Sequence, residues 1–268
     1  MTTIDWRYRA WVLRTLAGRG ETGLAARIAL LDILIAIGRE PARDVRLPVR
    51  GGAVFLGSGT IRIDLETFLL MYVRGVFDAE YEGHLVLDIG AHKGYYAARA
   101  LGAGATGVVS YEPESQNFAR LALAQRAWQG SRWEIHRQAV GRTPGRVRLY
   151  RSRESWSHSL YPDFVAPPEA GAVLSEEVEM VTLSAVLAQT TAAHPGVPIL
   201  LKVNVEGAAA DVVLSASANE LRAVSDAHLD YEEGSRHDVE DVLDHLRTAG
   251  LTQITRTDGH NFHLSRPS

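Results

Sequence analysis

Between residues 23 and 37 apolar side chains recur every three or four positions, with Leu24, Ile28, Leu31 and Ile35 on one face. That spacing predicts a helix. A second helix is expected over residues 4–16, and Pro41 and Pro48 close this region. "RGGAVFLGSGTIRID" then reads as short strands joined by glycine turns, and residues 65–77 as a further helix. From Leu85 the period changes. "LVLDI" is strand and "YYAARAL" helix; "GVVSYE" is strand, residues 114–128 form an amphipathic helix carrying Phe118, Leu121 and Leu123, and "RWEIHRQ" is strand again. Alternation of this kind makes a parallel sheet with helices on its faces.

Two inserted strands follow, "GRVRLY" and "EVEMVT", separated by a lid-like excursion near residues 151–176 that holds Pro162, Pro167 and Pro168. The sheet pattern resumes with "VPILLKVNV", a helix over 208–217, "LRAVSDAHLDY", a helix over 238–248, and the strands "LTQITR" and "NFHLS", antiparallel across "DGH". The expected fold is α/β: a doubly wound, seven-stranded, mostly parallel, Rossmann-like sheet. Residues 1–80 form an N-terminal helical and short-strand extension, and residues 81–268 the main domain with its small inserted strand pair.

Composition narrows the function. A chain of 268 residues that is 46% hydrophobic supports one sizeable core. A net charge of -4 argues against nucleic acid or an anionic membrane as the main partner. With no cysteine there is neither a disulfide framework, nor a thiolate nucleophile, nor a cysteine metal site. The N-terminal stretch is too interrupted by charge for a membrane span or signal core, so the expectation is a cytoplasmic protein.

The stretch "LVLDIGAHKGYY" carries the chemistry. In open parallel sheets ligands sit beyond the carboxyl ends of the strands, where strand order reverses. Gly90 and Gly94 let the backbone turn tightly there, and the helix that follows offers free N–H groups. Glu112 ends the next strand, about 20 residues on, where a carboxylate accepts hydrogen bonds from ribose hydroxyls. A nucleoside site follows. The turn lacks the middle glycine of G-x-G-x-x-G that admits a pyrophosphate, and the Asp88 carboxylate would repel one while suiting an ammonium group. S-adenosylmethionine, which carries adenosine, an ammonium and a sulfonium but no phosphate, matches these charges.

Five motifs in order, "VLDIGAHKGYY", "YEPESQNFARL", "QAVG", "EMVTLSAVL" and "LLKVNVEGAAADVV", resemble the FkbM-type S-adenosylmethionine-dependent methyltransferases. The resemblance implies the class I methyltransferase fold and O-methylation of hydroxyls on sugars, polyketides and other natural products. It places the amino-acid part of the cofactor along Asp88, Gly90, Ala91, His92 and Gly94, its ribose at Glu112, and its adenine near Gln138 and Ala139. Tyr95, Pro113, Asn117 and Asn204 complete the cofactor-binding candidates. One departure stands out: "KVNVEG" puts Asn204 where the family has aspartate, which keeps the shape but removes the charge.

A hydroxyl acceptor must lose its proton near the transition state, so a histidine or carboxylate within reach is expected. His158, in the excursion, ranks first. Glu206, Asn204, His228 and Asp230 are the other catalytic candidates, with His92 in the turn. Asn204, Glu206, Asp230 and His228 also have the chemistry of a divalent-metal site, but no short ligand motif such as H-E-x-x-H is present and no metal ligand is assigned. Trp156 beside His158 is a candidate wall for the acceptor, a small hydroxylated molecule. Trp6 and Trp11 are candidates for a homodimer contact. Transfer to nitrogen or carbon, a nicotinamide-dependent oxidoreductase and a non-catalytic cofactor-binding protein are the open alternatives.

Overall fold

The structure, a computed structural model, describes residues 5–152, 154–165, 174–232 and 235–267. It opens with α1 (Trp6–Gly18) and α2 (Thr22–Ala36), which pack against each other. The Asp5 carboxylate caps α1, accepting the N–H groups of Arg7 and Tyr8. A hairpin of β1 (Val45–Val49) and β2 (Gly52–Leu56) leads to α3 (Ile61–Phe68). That helix runs directly into a π-helical turn, Leu69–Arg74, ended by Gly75 in the left-handed region at φ 68°. The helix begins earlier than the apolar spacing predicts, because its first turn is anchored by polar groups: the Asp64 carboxylate accepts the Gly57 N–H (2.6 Å) and the Thr60 hydroxyl (2.9 Å).

The main sheet is built from β3 (Leu85–Ile89), β4 (Gly107–Tyr111), β5 (Trp133–His136), β9 (Ile199–Val203), β10 (Val224–Asp230), β11 (Gln253–Asp258) and β12 (Asn261–Ser265). Its spatial order is β11-β12-β10-β9-β3-β4-β5, parallel except for β12, which runs antiparallel to both neighbours. This is the class I Rossmann-like sheet expected from the alternation. Strand order reverses between β3 and β9.

The inserted pair is instead a three-stranded sheet. Between β7 (Gly145–Tyr150) and the two-residue β6 (Ala139–Val140) lies β8 (Ser175–Val181). A two-residue strand has no periodicity to read, which is why "QAVG" gave no such signal. Residues 153 and 166–173 of the excursion, including Pro167 and Pro168, lie outside the described residues.

Helices α4 (Tyr95–Gly102) and α5 (Ser115–Ala127) cover one face of the sheet, and α6 (Leu183–Ala193), α7 (Ala209–Val213) and α8 (Val239–Thr248) the other. The α7 helix stops short of the expected 217 because Ser215 turns its hydroxyl onto the Val212 carbonyl (2.7 Å) and accepts the Leu183 N–H (2.8 Å). The extension is not a separate body. Val12, Leu16, Ile28, Leu65, Phe68 and Phe77 share one apolar cluster with Val86, Tyr95, Ala97 and Leu121 of the sheet layer. Trp6 and Trp11 stay exposed on α1.

A buried ion pair locks this joint. Asp64 is fully buried and Lys93, in the glycine turn, is 2% exposed. The Lys93 ammonium donates to the Asp64 carboxylate and to the Thr60 hydroxyl (3.1 Å), and the hydroxyl of Ser155, from the excursion, donates to Asp64 (2.9 Å). Removing one partner leaves a buried charge without compensation. Asp64→Ala should therefore lower the unfolding free energy by about 3–5 kcal/mol, read from urea titrations; a loss of less than about 1 kcal/mol would show that the pair does not hold the extension to the sheet.

Candidate functional site

The site lies where β3 and β9 diverge. The Asn204 N–H donates to the Ile89 carbonyl (3.0 Å), so the first residues past both strands are clamped side by side. A Cβ on Gly90 would sit 1.8 Å from the Asn204 carbonyl oxygen, and one on Gly94 would lie 2.8 Å from Leu121 and Trp133. Both glycines are therefore required by close packing of the protein on itself. Between them His92 adopts φ 52°, the one non-glycine residue with positive φ among the described residues. That conformation aims its N–H at Glu112 Oε2 (2.7 Å), while the Glu114 N–H donates to Oε1 (2.9 Å). Each carboxylate oxygen keeps a lone pair for a ligand.

A cavity of about 770 Å³ opens over this point. Of the sequence candidates, Gly90, Ala91, His92, Tyr95, Glu112, Pro113, Asn117, Gln138 and Ala139 line it from β3, β4 and the segments that follow them, His158 from the excursion, and Asn204, Glu206 and Asp230 from the ends of β9 and β10. Trp156 also lines it and is half exposed. Three candidates are not on its wall. Asp88 is fully buried and paired with Lys202 (2.9 Å), which stands opposite it on β9 and also donates to the Gly90 carbonyl (2.8 Å). Lys202 thus takes Asp88 Oδ1, while the buried Oδ2 has no hydrogen-bond partner among the described residues. Gly94 faces Leu121 and Trp133. His228 is stacked on His263 (4.3 Å between centroids) and meets Phe77 edge-on, and burial pushes it down to about 3. It is a neutral packing residue, and the metal grouping that included it does not form. Among the described residues, no group of three or more His, Asp or Glu side chains is placed to hold a metal ion.

The remaining groups sort by protonation. Burial pushes the Glu112 carboxyl up to about 8, against the pull of its two backbone N–H donors. His158 is pushed down to about 4 by burial and by Arg151. Its Nδ1 accepts the Ser152 N–H (3.0 Å), which leaves the proton of the neutral ring on Nε2. A histidine so arranged donates a hydrogen bond and is a poor base, contrary to its first rank in the sequence. His92, also held neutral by burial, is oriented by a relay: Ser155 donates to Asp64, so the Ser155 oxygen accepts from His92 Nε2 (3.2 Å). The buried Nδ1 then carries a lone pair with no protein partner among the described residues.

Glu206 is displaced upward by burial and by Glu232, whose carboxyl shares a hydrogen bond with it and is itself raised by burial. Two like charges so close hold one proton between them. Asn204 donates to Asp230 Oδ2 (3.0 Å). An aspartate at 204 would set two carboxylates against each other; the amide turns that contact into a hydrogen bond. Sequence reasoning missed Glu232, Ser155, Lys202 and Asp64. Only Lys202 left a trace: "LVLDI" and "ILLKV" each bury a single charge of opposite sign at the same position of adjacent strands.

The family model described as "Methyltransferase FkbM domain" matches residues 88–250, more than half of the chain. No curated protein matches the sequence. Among solved structures, the methyltransferase FkbM from Methylobacillus flagellatus is similar over 77% of this chain and 53% of its own, at 13% identity and a TM-score of 0.50. The SAM-dependent methyltransferase from Agrobacterium tumefaciens is similar over 85% and 71%, at 9% identity and a TM-score of 0.42. The chain spans about half the length of the first of these. It belongs to the FkbM methyltransferase family, which sets aside the nicotinamide-dependent oxidoreductase. Among the described residues, no helix is long and apolar enough to cross a membrane.

The raised Glu112 has a sign to test. The folded protein holds its proton up to about pH 8 while the unfolded chain releases it near pH 4.5, so the contribution to stability is complete at low pH and is lost as pH rises between these values. Urea titrations at several pH values should show a decline of at most about 1.4 kcal/mol per pH unit from this group. Glu112→Gln should flatten that component; an unchanged slope would place the Glu112 proton elsewhere.

Proposed function

We propose that the chain transfers a methyl group from S-adenosylmethionine to a hydroxyl of a small molecule bound in the same cavity. The observation that carries this is the placement of Glu112 and Glu206 on the lining of one cavity at the switch point of the sheet, with Glu232 hydrogen-bonded to Glu206. At about 770 Å³ the cavity stands high in the roughly 300–1,000 Å³ range of small-molecule sites, room for a donor and an acceptor together.

The residues present suit the cofactor. Glu112, with one lone pair per oxygen left over, would take the ribose hydroxyls, and Gln138 and Ala139 would border the adenine. The ammonium would meet the lone pair of His92 Nδ1. Glu154 and Asp230 on the opposite wall favour a ligand with cationic centres. Bound S-adenosylmethionine supplies an electrophilic methyl group. The protein positions the acceptor oxygen in line with it and keeps water out.

The acceptor's proton would go to the Glu206–Glu232 pair. Its raised affinity for protons brings a carboxylate closer to neutral pH, where a general base works best. His158 would donate a hydrogen bond from Nε2, and Asn204 would hold Asp230 in place.

Two measurements test this reading. Glu112→Ala should weaken binding of S-adenosylhomocysteine by about 1–3 kcal/mol in calorimetric titration, and unchanged affinity would remove the ribose assignment. Glu206→Gln should cut methyl transfer from labelled cofactor by about 100-fold or more while leaving that affinity intact. In the wild type kcat should rise with pH through a range above that of ordinary carboxylates, because only the deprotonated pair accepts a proton. The variant should lack this limb, and retention of it would exclude Glu206 as part of the base.

A further inference from the structure

The cavity does not end at the cofactor-facing residues. It continues to a wall made by α1, α2, α3 and the π-helical turn, all of which precede the segment that matches the family. Arg9 on this wall is 4% exposed and Asp32 is 2% exposed. The Arg9 Nε lies 3.2 Å from Asp32 Oδ1, and its Nη2 pairs with Glu66. Arg9 Nη1 and the Tyr8 hydroxyl, both buried, nonetheless find no hydrogen-bond partner among the described residues, and Asp32 Oδ1 has only its ion pair with Arg9 Nε. Arg9 Nη1 is a donor, Asp32 Oδ1 an acceptor, and the Tyr8 hydroxyl both. Buried polar atoms are rarely left in this state without a ligand or water to satisfy them.

We propose that Tyr8, Arg9 and Asp32 form an anchoring subsite for a neutral part of the acceptor that carries two adjacent hydroxyl groups. A hydroxyl accepts from Arg9 Nη1 while donating to Asp32 Oδ1, and its neighbour pairs with the Tyr8 hydroxyl. Anions are disfavoured, because one guanidinium already faces the carboxylates of Asp32 and Glu66. Burial raises Asp32, partly offset by Arg9. Leu70 and Met71, set on the wall by the π-helical turn, offer apolar surface to the carbon skeleton of such a group. Turns of this kind occur often at functional sites. That the subsite anchors a methyl acceptor rests on the function proposed above; the hydroxyl recognition itself does not.

The test uses the full chain saturated with S-adenosylhomocysteine and ligand-observed saturation-transfer NMR with three probes: trans-1,2-cyclohexanediol, cyclohexanol and cyclohexanecarboxylate. The diol should bind at least about fivefold more tightly than cyclohexanol, and the carboxylate more weakly than either. Tyr8→Phe, which removes one oxygen from an otherwise unchanged ring, and Arg9→Lys, which keeps the charge but loses the planar fork, should each weaken the diol by about fivefold and leave S-adenosylhomocysteine affinity unchanged. A diol that binds no better than cyclohexanol, an equal or tighter carboxylate, or indifference to Tyr8→Phe would overturn the subsite. Loss of S-adenosylhomocysteine binding by the wild type would instead overturn the proposed function, so the two failures are distinguishable.

Discussion

A single carboxylate, that of Asp64, sets the relative positions of three segments of the chain. Its oxygens accept from Gly57 and Thr60 at the start of α3, from Lys93 inside the glycine turn, and from Ser155 in the excursion. Because the group is fully buried, none of these donors can be replaced by solvent, and the three segments are held as one. The consequence reaches the cavity through Ser155. Its hydroxyl, committed to Asp64, fixes the tautomer of His92, and its carbonyl accepts the side-chain amide of Asn117 (2.7 Å). Two residues that line the cavity therefore take their orientation from an aspartate that is not on its wall.

The strand ends are fixed by a second buried pair of another kind. Asp88 and Lys202 lie in register on β3 and β9, and Lys202 reaches past the strand end to the Gly90 carbonyl. Charge inside a sheet costs desolvation that the pair's attraction only partly offsets. What it supplies is position: β9 cannot slip against β3 without separating the charges, and the carbonyl of Asn204 is thereby pressed onto Gly90. With the glycine turn so constrained, the N–H of His92 has one direction left to point, toward Glu112. The carboxylate is aimed by backbone geometry that begins two strands away.

This dependence on long-range partners explains what was legible in the sequence and what was not. Alternation of strand and helix from Leu85 onward exposed the sheet, its helices and its antiparallel end, because those features are written in local period. Glu112 was legible because strand-end spacing is local too. Asp88 was legible only in part: a lone aspartate in an apolar strand gives no sign of the lysine 114 residues away that is placed opposite it. The neutral state of His158 and His228 was not legible, since it is decided first by burial, and the tautomer of His158 and the stacking of His228 by Ser152 and His263, neighbours whose roles no spacing rule announces. Glu232 escaped notice because its importance lies wholly in its contact with Glu206.

The two halves of the cavity are made of different material, and this shapes what each can recognise. Around Glu112 the decisive contacts are backbone N–H groups fixed by the sheet, so that half is rigid and suited to a ligand that never varies. Around Arg9 they are side chains on helices outside the family segment, held by one another and by Glu66. Side chains can be exchanged without disturbing the strand ends, whereas the glycine turn cannot be altered without moving Glu112. On the proposed function, the methyl donor is read by the fold and the acceptor by the extension. The Asp64–Lys93 pair is where the two readings are held in register, because it is the buried charge shared by α3 and the glycine turn.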